Sequence, residues 1–173
     1  MKITFTYKKL IISVFIAFAL TACSVKYSFT GASIPPEVKS INIKYFPNNA
    51  LLVEPTLSQT ITDGLRDKFT SETSLEQVND GGDLLMEGAI VGYRTTPVSI
   101  QGDDQAALNR LTITVEVTFI NSFDETMSFE NSKFERYADY SSSQSLSEIQ
   151  ETLVAEISEM LIVDIFNKAV INW

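Results

Sequence analysis

Residues 111–119 read Leu-Thr-Ile-Thr-Val-Glu-Val-Thr-Phe, the most regular apolar–polar alternation in the chain. Apolar residues alternate strictly with threonine and glutamate, which is the period of two of a β-strand and not the 3.6 of a helix. One side of such a strand meets an apolar core, and the other side meets water or a polar partner. We predict that the strand extends over residues 107–123.

Two amphipathic helices are predicted, one before this strand and one after it. Residues 55–73 begin with Pro55, which suits a first helical turn. Their apolar side chains recur every four residues and line one face, at Leu57, Ile61, Leu65 and Phe69. Residues 145–169 form the second helix, in which Ser145 and Glu148 have the spacing of a capping box. Its apolar face consists of Ile149, Leu153, Ile157, Met160, Leu161 and Ile165.

The remaining extended segments complete the sheet. Residues 38–46 alternate in the same way, residues 83–100 form a long central strand, and residues 127–140 form another strand. Residues 75–78 are either a short strand or the approach to one. These elements predict an α+β domain over residues 38–173, a two-layer sandwich of two helices on one face of a four-stranded, mostly antiparallel sheet in the order β-α-β-β-β-α. We expect the first strand to pair in parallel with a later one, because a helix follows it.

The N-terminal segment has the three-part organisation of a bacterial export signal. Lys2, Lys8 and Lys9 precede the apolar run 10–20, which leads through small residues to the only cysteine, Cys23. The run is too short for a transmembrane helix, which needs about 20 apolar residues. Residues 1–22 are therefore predicted to be a signal peptide. The alternatives are an uncleaved signal anchor and an ordinary secretory peptide that leaves a free cysteine.

The residues that end this segment, Leu20-Thr21-Ala22-Cys23, resemble the lipobox of bacterial lipoproteins. The resemblance implies cleavage before Cys23 and acylation of that cysteine, for example with palmitate. Residues 23–37 would then be the lipidated N-terminus and a tether, in which Pro35 and Pro36 favour an extended backbone. Acyl chains would hold the domain at the membrane.

Charge and composition exclude several classes of function. The formal net charge is −9, and an acidic chain is repelled by nucleic acid and by anionic lipid. The sequence contains no histidine, the commonest general base and a common metal ligand. It also lacks a phosphate-binding loop, metal-spaced cluster or nucleophile motif. We therefore expect a protein that is not an enzyme and has no metal or cofactor. Asp103 and Asp104 beside Gly102 indicate a turn.

Five basic residues lie on or beside the predicted strands of this otherwise acidic chain: Lys44, Arg94, Arg110, Lys133 and Arg136. If several of them gather on one part of the sheet, they could bind phosphates or the acidic head group of a glycolipid. Alternatively, they are scattered and pair with nearby carboxylates. The sequence leaves both interpretations open.

Several stretches together resemble the LptE family as it occurs in Bacteroidetes-type bacteria. They run from one end of the predicted mature chain to the other: Tyr27-Ser28-Phe29-Thr30-Gly31, Ser33-Ile34-Pro35-Pro36, Tyr45-Phe46-Pro47-Asn48-Asn49-Ala50, Pro55-Thr56-Leu57-Ser58-Gln59, residues 106–115, Arg136-Tyr137-Ala138-Asp139-Tyr140, and residues 164–169 with Asn172-Trp173. The resemblance rests on their order and extent, because none of them is a chemical motif.

The resemblance implies an outer-membrane lipoprotein of the lipopolysaccharide translocon. Such a protein sits as a plug in the barrel LptD, helps the barrel to assemble and handles lipopolysaccharide on its way to the cell surface. The domain would face the periplasm or lie in the barrel lumen. The competing hypotheses are a free periplasm-facing lipoprotein that binds a small ligand or a cell-envelope component, and a hydrolytic enzyme, which the lack of histidine opposes.

Overall fold

The computed structural model describes residues 34–52, 54–98 and 107–170. The predicted signal peptide, Cys23, most of the tether and the turn at Asp103–Asp104 lie outside these ranges. The elements follow one another as β1 (Ser40–Ile43), α1 (Leu57–Glu72), β2 (Glu76–Gln77), β3 (Leu84–Val98), β4 (Leu108–Asn121), β5 (Phe129–Ser141) and α2 (Leu146–Val170), with a 3-10 turn at Glu125–Met127 between β4 and β5.

In the described ranges the sheet has five strands in the order β2-β1-β3-β4-β5, so the predicted count of four was wrong. The additional strand is β2. After α1 the chain comes back to the outer side of β1, where Glu76 N–H donates to Lys39 O and Val78 N–H donates to Ile41 O. β1 pairs in parallel with β2 and β3, while β3, β4 and β5 are antiparallel. The α+β class and the parallel pairing of the first strand are confirmed.

β4 supplies the centre of the core, as its alternation predicts. Leu111, Ile113, Val115 and Val117 are 0% exposed and Phe119 is 1% exposed. Both helices cover this side of the sheet, and their predicted apolar faces enter the same cluster. In α1, Leu57, Ile61, Leu65 and Phe69 are fully buried, and the Phe69 ring packs edge-on against Phe166 of α2, with 4.9 Å between centroids.

Two irregularities adjust β3 to its neighbours. At Gly88 the chain passes so close to Phe46 that an added Cβ would lie 2.6 Å from the phenyl ring, and it would also collide with the carbonyl oxygen of Glu116. Between Ile90 and Gly92 the register with β4 shifts by one residue. Such a bulge changes the twist of a strand. Beyond it, odd-numbered residues of β3 lie opposite the core residues of β4.

The two ends of the domain differ. The chain enters β1 beside Asp83, whose carboxylate accepts hydrogen bonds from Lys39 N–H at 2.8 Å and Ser40 N–H at 3.0 Å. Both helices begin at the opposite end, where β3 leads towards β4. At that end Gln150 near the start of α2 donates to the carboxylate of Glu54 just before α1. In the part of the chain that is described, no helix is both long and apolar enough to cross a membrane.

Candidate functional site

The face of the sheet that points away from the helices is polar, and we call it the open face. It is formed by alternate residues of three strands. Arg94 belongs to β3, and the positions on β4 and β5 are Arg110, Thr112, Thr114, Glu116, Lys133, Glu135, Tyr137 and Asp139. The period of two in β4 places these residues opposite to the core, so the open face follows from the same pattern that builds the core.

Arg110 makes the most ordered contact on the open face. It lies directly across from Asp139 in the β4–β5 register, and its Nε and Nη2 donate to the two carboxylate oxygens at 2.7 and 2.8 Å. Its guanidinium also stacks on the ring of Tyr137, 3.6 Å from the centroid. The hydrogen bonds from Arg110 hold the pKa of the Asp139 carboxyl below its usual value. The two-pronged pair and the stacking together fix the orientation of Arg110.

A second network joins all three antiparallel strands. Both terminal nitrogens of Arg94 on β3 donate to Glu135 on β5 at 3.2 Å, across the width of β4. Thr114 on β4 donates its hydroxyl to the same carboxylate at 2.9 Å. These hydrogen bonds, first from Arg94 and then from Thr114, lower the pKa of Glu135. Lys133 adds a weaker ion pair with Glu116 at 3.8 Å.

Lys44 lies on the same side of the sheet, past the end of β1. It contributes to a recess of about 350 Å³ whose other walls are Tyr45, Glu87, Gly88, Glu116, Thr118 and Asn131. The walls therefore carry a lysine, two carboxylates and neutral polar groups. The described residues contain no group of three or more side chains arranged to hold a metal ion. The recess is therefore suited to hydrogen bonding with a polar partner.

Arg136 is separated from the other four basic residues. It lies opposite Ile113 of the core, on the helix side of β5. There it forms a two-pronged pair with Asp164 of α2, in which Nη2 donates at 2.8 Å. The structure thus brings Lys44, Arg94, Arg110 and Lys133 to one face and places Arg136 on the other. Arg94, Arg110, Lys133 and Arg136 each have a carboxylate partner, so an anionic ligand would have to compete with or join these pairs.

The charge of the domain is distributed unevenly between its faces. Among the described residues, the four basic side chains of the open face share it with the carboxylates of Glu87, Glu116, Glu135 and Asp139. α2 has one basic residue, Lys168, against five acidic ones, which are Glu148, Glu151, Glu156, Glu159 and Asp164. An anionic partner therefore meets less repulsion at the open face than at the helix face.

Sequence reasoning missed how this face is packed. Thr112 and Thr114 lie on the side that the alternation assigns to water or a polar partner, but they are only 3% and 8% exposed. Arg94 and Tyr137 flank Thr112, and Glu135 lies opposite Thr114 and accepts a hydrogen bond from its hydroxyl. The alternation in β5 indicates which of its side chains lie beside these threonines. Residues 133, 135, 137 and 139 share one face, while Phe134, Ala138 and Tyr140 point to the core. Which side chains pair across the strands depends on the register between strands, and a local sequence pattern does not reveal that register.

Comparison with known proteins identifies one family. A family model described as "LptE: Lipopolysaccharide-assembly" matches residues 38–169. The match spans every helix and strand given above, apart from the last residue of α2. A search of curated proteins found none that matches the sequence.

Solved structures with a similar arrangement include several bacterial proteins of low sequence identity. A hypothetical protein from Chlamydia trachomatis has a TM-score of 0.49 at 8% identity, over 78% of this chain and 98% of that one. The rare lipoprotein B from Shewanella oneidensis has a TM-score of 0.46 at 13% identity, over 70% and 89%. A minor lipoprotein from Acinetobacter baumannii has a TM-score of 0.40 at 14% identity, over 73% and 96%.

The Arg110–Asp139 pair makes stability depend on pH. The pKa of Asp139 is lowered in the folded state, so the pair stabilises fully above the unfolded carboxyl value of about 4. This contribution is lost as the pH falls through the lowered folded value. We expect a double-mutant cycle with Arg110→Gln and Asp139→Asn, read by urea unfolding, to show favourable coupling at pH 7 and weaker coupling at about pH 2. Coupling that is the same at both pH values would contradict the ion pair.

Proposed function

This chain belongs to the LptE family of lipopolysaccharide-assembly proteins, and from that membership we propose its place in the cell. It acts in lipopolysaccharide assembly as an outer-membrane lipoprotein held by acyl chains on Cys23. There it occupies an LptD-like β-barrel, helps that barrel to assemble, and handles lipopolysaccharide during insertion at the cell surface. It does so without catalysis. The observation that carries the proposal is the family match over residues 38–169.

The open face supports a role inside or beside a barrel. Barrel lumens are lined with polar residues, so a plug needs a polar surface that keeps its shape. Cross-strand pairs from Arg94 to Glu135 and from Arg110 to Asp139 give the open face fixed donors and acceptors. Because the face carries both cations and carboxylates, it can contact positively charged, negatively charged or neutral polar groups of a partner.

The proposed anchor reduces the affinity that the barrel contact must supply. A domain tied to the membrane by about 15 residues of tether stays close to other proteins of that membrane, and its effective concentration is high. A polar surface of modest affinity is then sufficient for stable association. An acidic domain would also gain little from electrostatic attraction to the membrane itself.

Lipopolysaccharide handling is the second part of the proposal. Lys44, Arg94, Arg110 and Lys133 lie on one face, and such side chains bind phosphate groups through charge-assisted hydrogen bonds. Arg136, on the helix side, remains a candidate contact by its charge alone. Because carboxylates already bind most of these cations, we infer that affinity is moderate and that a ligand can be released as well as bound.

Membrane attachment and partner retention test the first part of the proposal. We expect full-length protein extracted in mild detergent to co-purify with a large outer-membrane barrel, and Cys23→Ala to leave the membrane fraction, because it cannot be acylated. Cys23→Ser is a second variant that lacks the thiol, and it should behave like Cys23→Ala. Wild-type protein that travels alone after extraction would reject the barrel role and favour the free periplasm-facing lipoprotein.

Binding to purified lipopolysaccharide tests the second part. We expect Arg94→Gln and Arg110→Gln each to weaken binding about fivefold, since each removes one charged contact. Arg136→Gln, on the helix side, is the matched control and should change binding less. Equal effects of all three substitutions would show that net charge matters and that the open face has no special role.

A further inference from the structure

Asp83 ties the point where the chain enters β1 to the loop that follows β4. The Asp83 carboxylate accepts hydrogen bonds from Lys39 N–H at 2.8 Å and from Ser40 N–H at 3.0 Å. The Ser40 hydroxyl donates to the same carboxylate and accepts from Asp83 N–H, each at 3.0 Å. On its other side, Asp83 O accepts from Ser122 N–H at 3.0 Å. The chain entry and the loop after β4 therefore lie together at one end of the domain.

The loop after β4 carries Phe123, which is 57% exposed. Asn121 Oδ1 accepts from Phe123 N–H at 2.9 Å and from Asp124 N–H at 3.1 Å. The Asp124 carboxylate then accepts from Thr126, whose N–H donates at 3.0 Å and whose hydroxyl donates at 2.6 Å. Side-chain turns of this kind define the path of a short loop. The exposed phenyl ring is thus presented by a hydrogen-bonded support.

The position of Phe123 in the domain distinguishes it from an ordinary exposed apolar residue, which by itself needs no explanation. Ile120, opposite Leu85 at the same end of the sheet, is 39% exposed. Directly before the chain entry, Val38 N–H donates to Pro35 O at 3.0 Å in a turn. The described chain therefore begins at the end of the domain that exposes these two apolar side chains.

The length of the tether limits how far this end can be from the membrane. Residues 24–33 separate the described chain from Cys23, and a chain of that length spans at most about 35 Å. With Cys23 acylated, the end that carries Phe123 stays within this distance of the lipid surface. The end at which the helices begin lies across the domain, since the 25 residues of α2 alone extend about 37 Å.

We propose that Phe123 and its loop dock on the lipid surface that holds the acyl chains, and that this second contact orients the domain. Aromatic rings favour the boundary between lipid head groups and acyl chains, where one side is apolar and the other wet. Asp124 and Glu125 stand beside Phe123 and are repelled by anionic lipid, so the loop selects zwitterionic lipid. The proposal rests on acylation of Cys23, and it goes beyond the role in lipopolysaccharide assembly.

Little affinity is needed for this contact. The acyl chains already hold the protein at the membrane, and the tether keeps the loop at high effective concentration beside the lipid. Phe123 only has to favour one orientation of the domain over the others. A single phenyl ring that leaves water is sufficient to shift such an equilibrium severalfold.

A dye placed beside Phe123 measures the contact. With Cys23 acylated, a cysteine introduced by Glu125→Cys is the only free thiol, because the sequence has no other cysteine. Full-length protein is extracted from native membranes, labelled at this thiol and reconstituted alone into phosphatidylcholine vesicles with brominated acyl chains. We expect the lipid to quench the dye, and Phe123→Ser to reduce the quenching about fivefold, since the apolar side chain is lost.

Phe123→Leu is the matched control. It keeps an apolar side chain and, like Phe123→Ser, leaves the backbone hydrogen bonds to Asn121 in place, so we expect most of the quenching to remain. A dye at Leu51→Cys provides the second control. Leu51 is fully exposed and lies just before Glu54, at the end where both helices begin. We expect little quenching there, because that end is turned away from the lipid.

The outcomes separate lipid docking from the anchor on which it rests. Protein that does not float with the vesicles would reject the acyl anchor and the docking together. Protein that floats with its dye at residue 125 unquenched would reject the docking alone. Equal quenching with and without Phe123→Ser, or equal quenching at residues 51 and 125, would also overturn it. So would an unquenched dye combined with lower thermal stability of Phe123→Ser, because Phe123 would then be covered by the chain itself.

Discussion

The strict alternation of apolar and polar residues in β4 determines both faces of the sheet. β4 pairs with β3 and β5 along most of its length, so its two faces continue into both neighbours. On one side, Leu111 through Phe119 form a core that both helices cover. On the other, Arg110 and Thr114 anchor cross-strand polar pairs. A shift of one residue would exchange the two sets and destroy both faces together.

The charge distribution gives these faces different roles. α2 and its carboxylates cover the core and carry much of the acidic excess, while the described part of the open face holds both cations and carboxylates. In our proposal, the protein contacts a polar barrel interior and an anionic glycolipid. The open face meets both requirements in our proposal, and the helix face meets neither, because its net charge is negative.

Local patterns in the sequence predicted the elements well where one face is buried. The four-residue spacing from Leu57 to Phe69 and the alternation around Ile113 each matched an observed helix or strand. β2 was only weakly indicated, because two exposed residues, Glu76 and Gln77, leave no hydrophobic pattern. The partners of Arg94 and Arg136 were not predictable, since they depend on strand register and on which face of β5 meets α2. The exposed Leu51 and Leu52 were missed because pattern reasoning expects apolar residues to be buried.

Site-specific photo-cross-linking in cells tests the account most directly. A photoreactive residue placed at Thr118 or Lys133 on the open face is compared with one at Glu151 or Glu159 on the helix face. Our account predicts cross-links from the open-face positions to the barrel partner or to lipopolysaccharide, and few or none from the helix positions. Cross-links to these molecules mainly from α2, with the open face unreactive, would contradict the assignment of the open face as the functional surface.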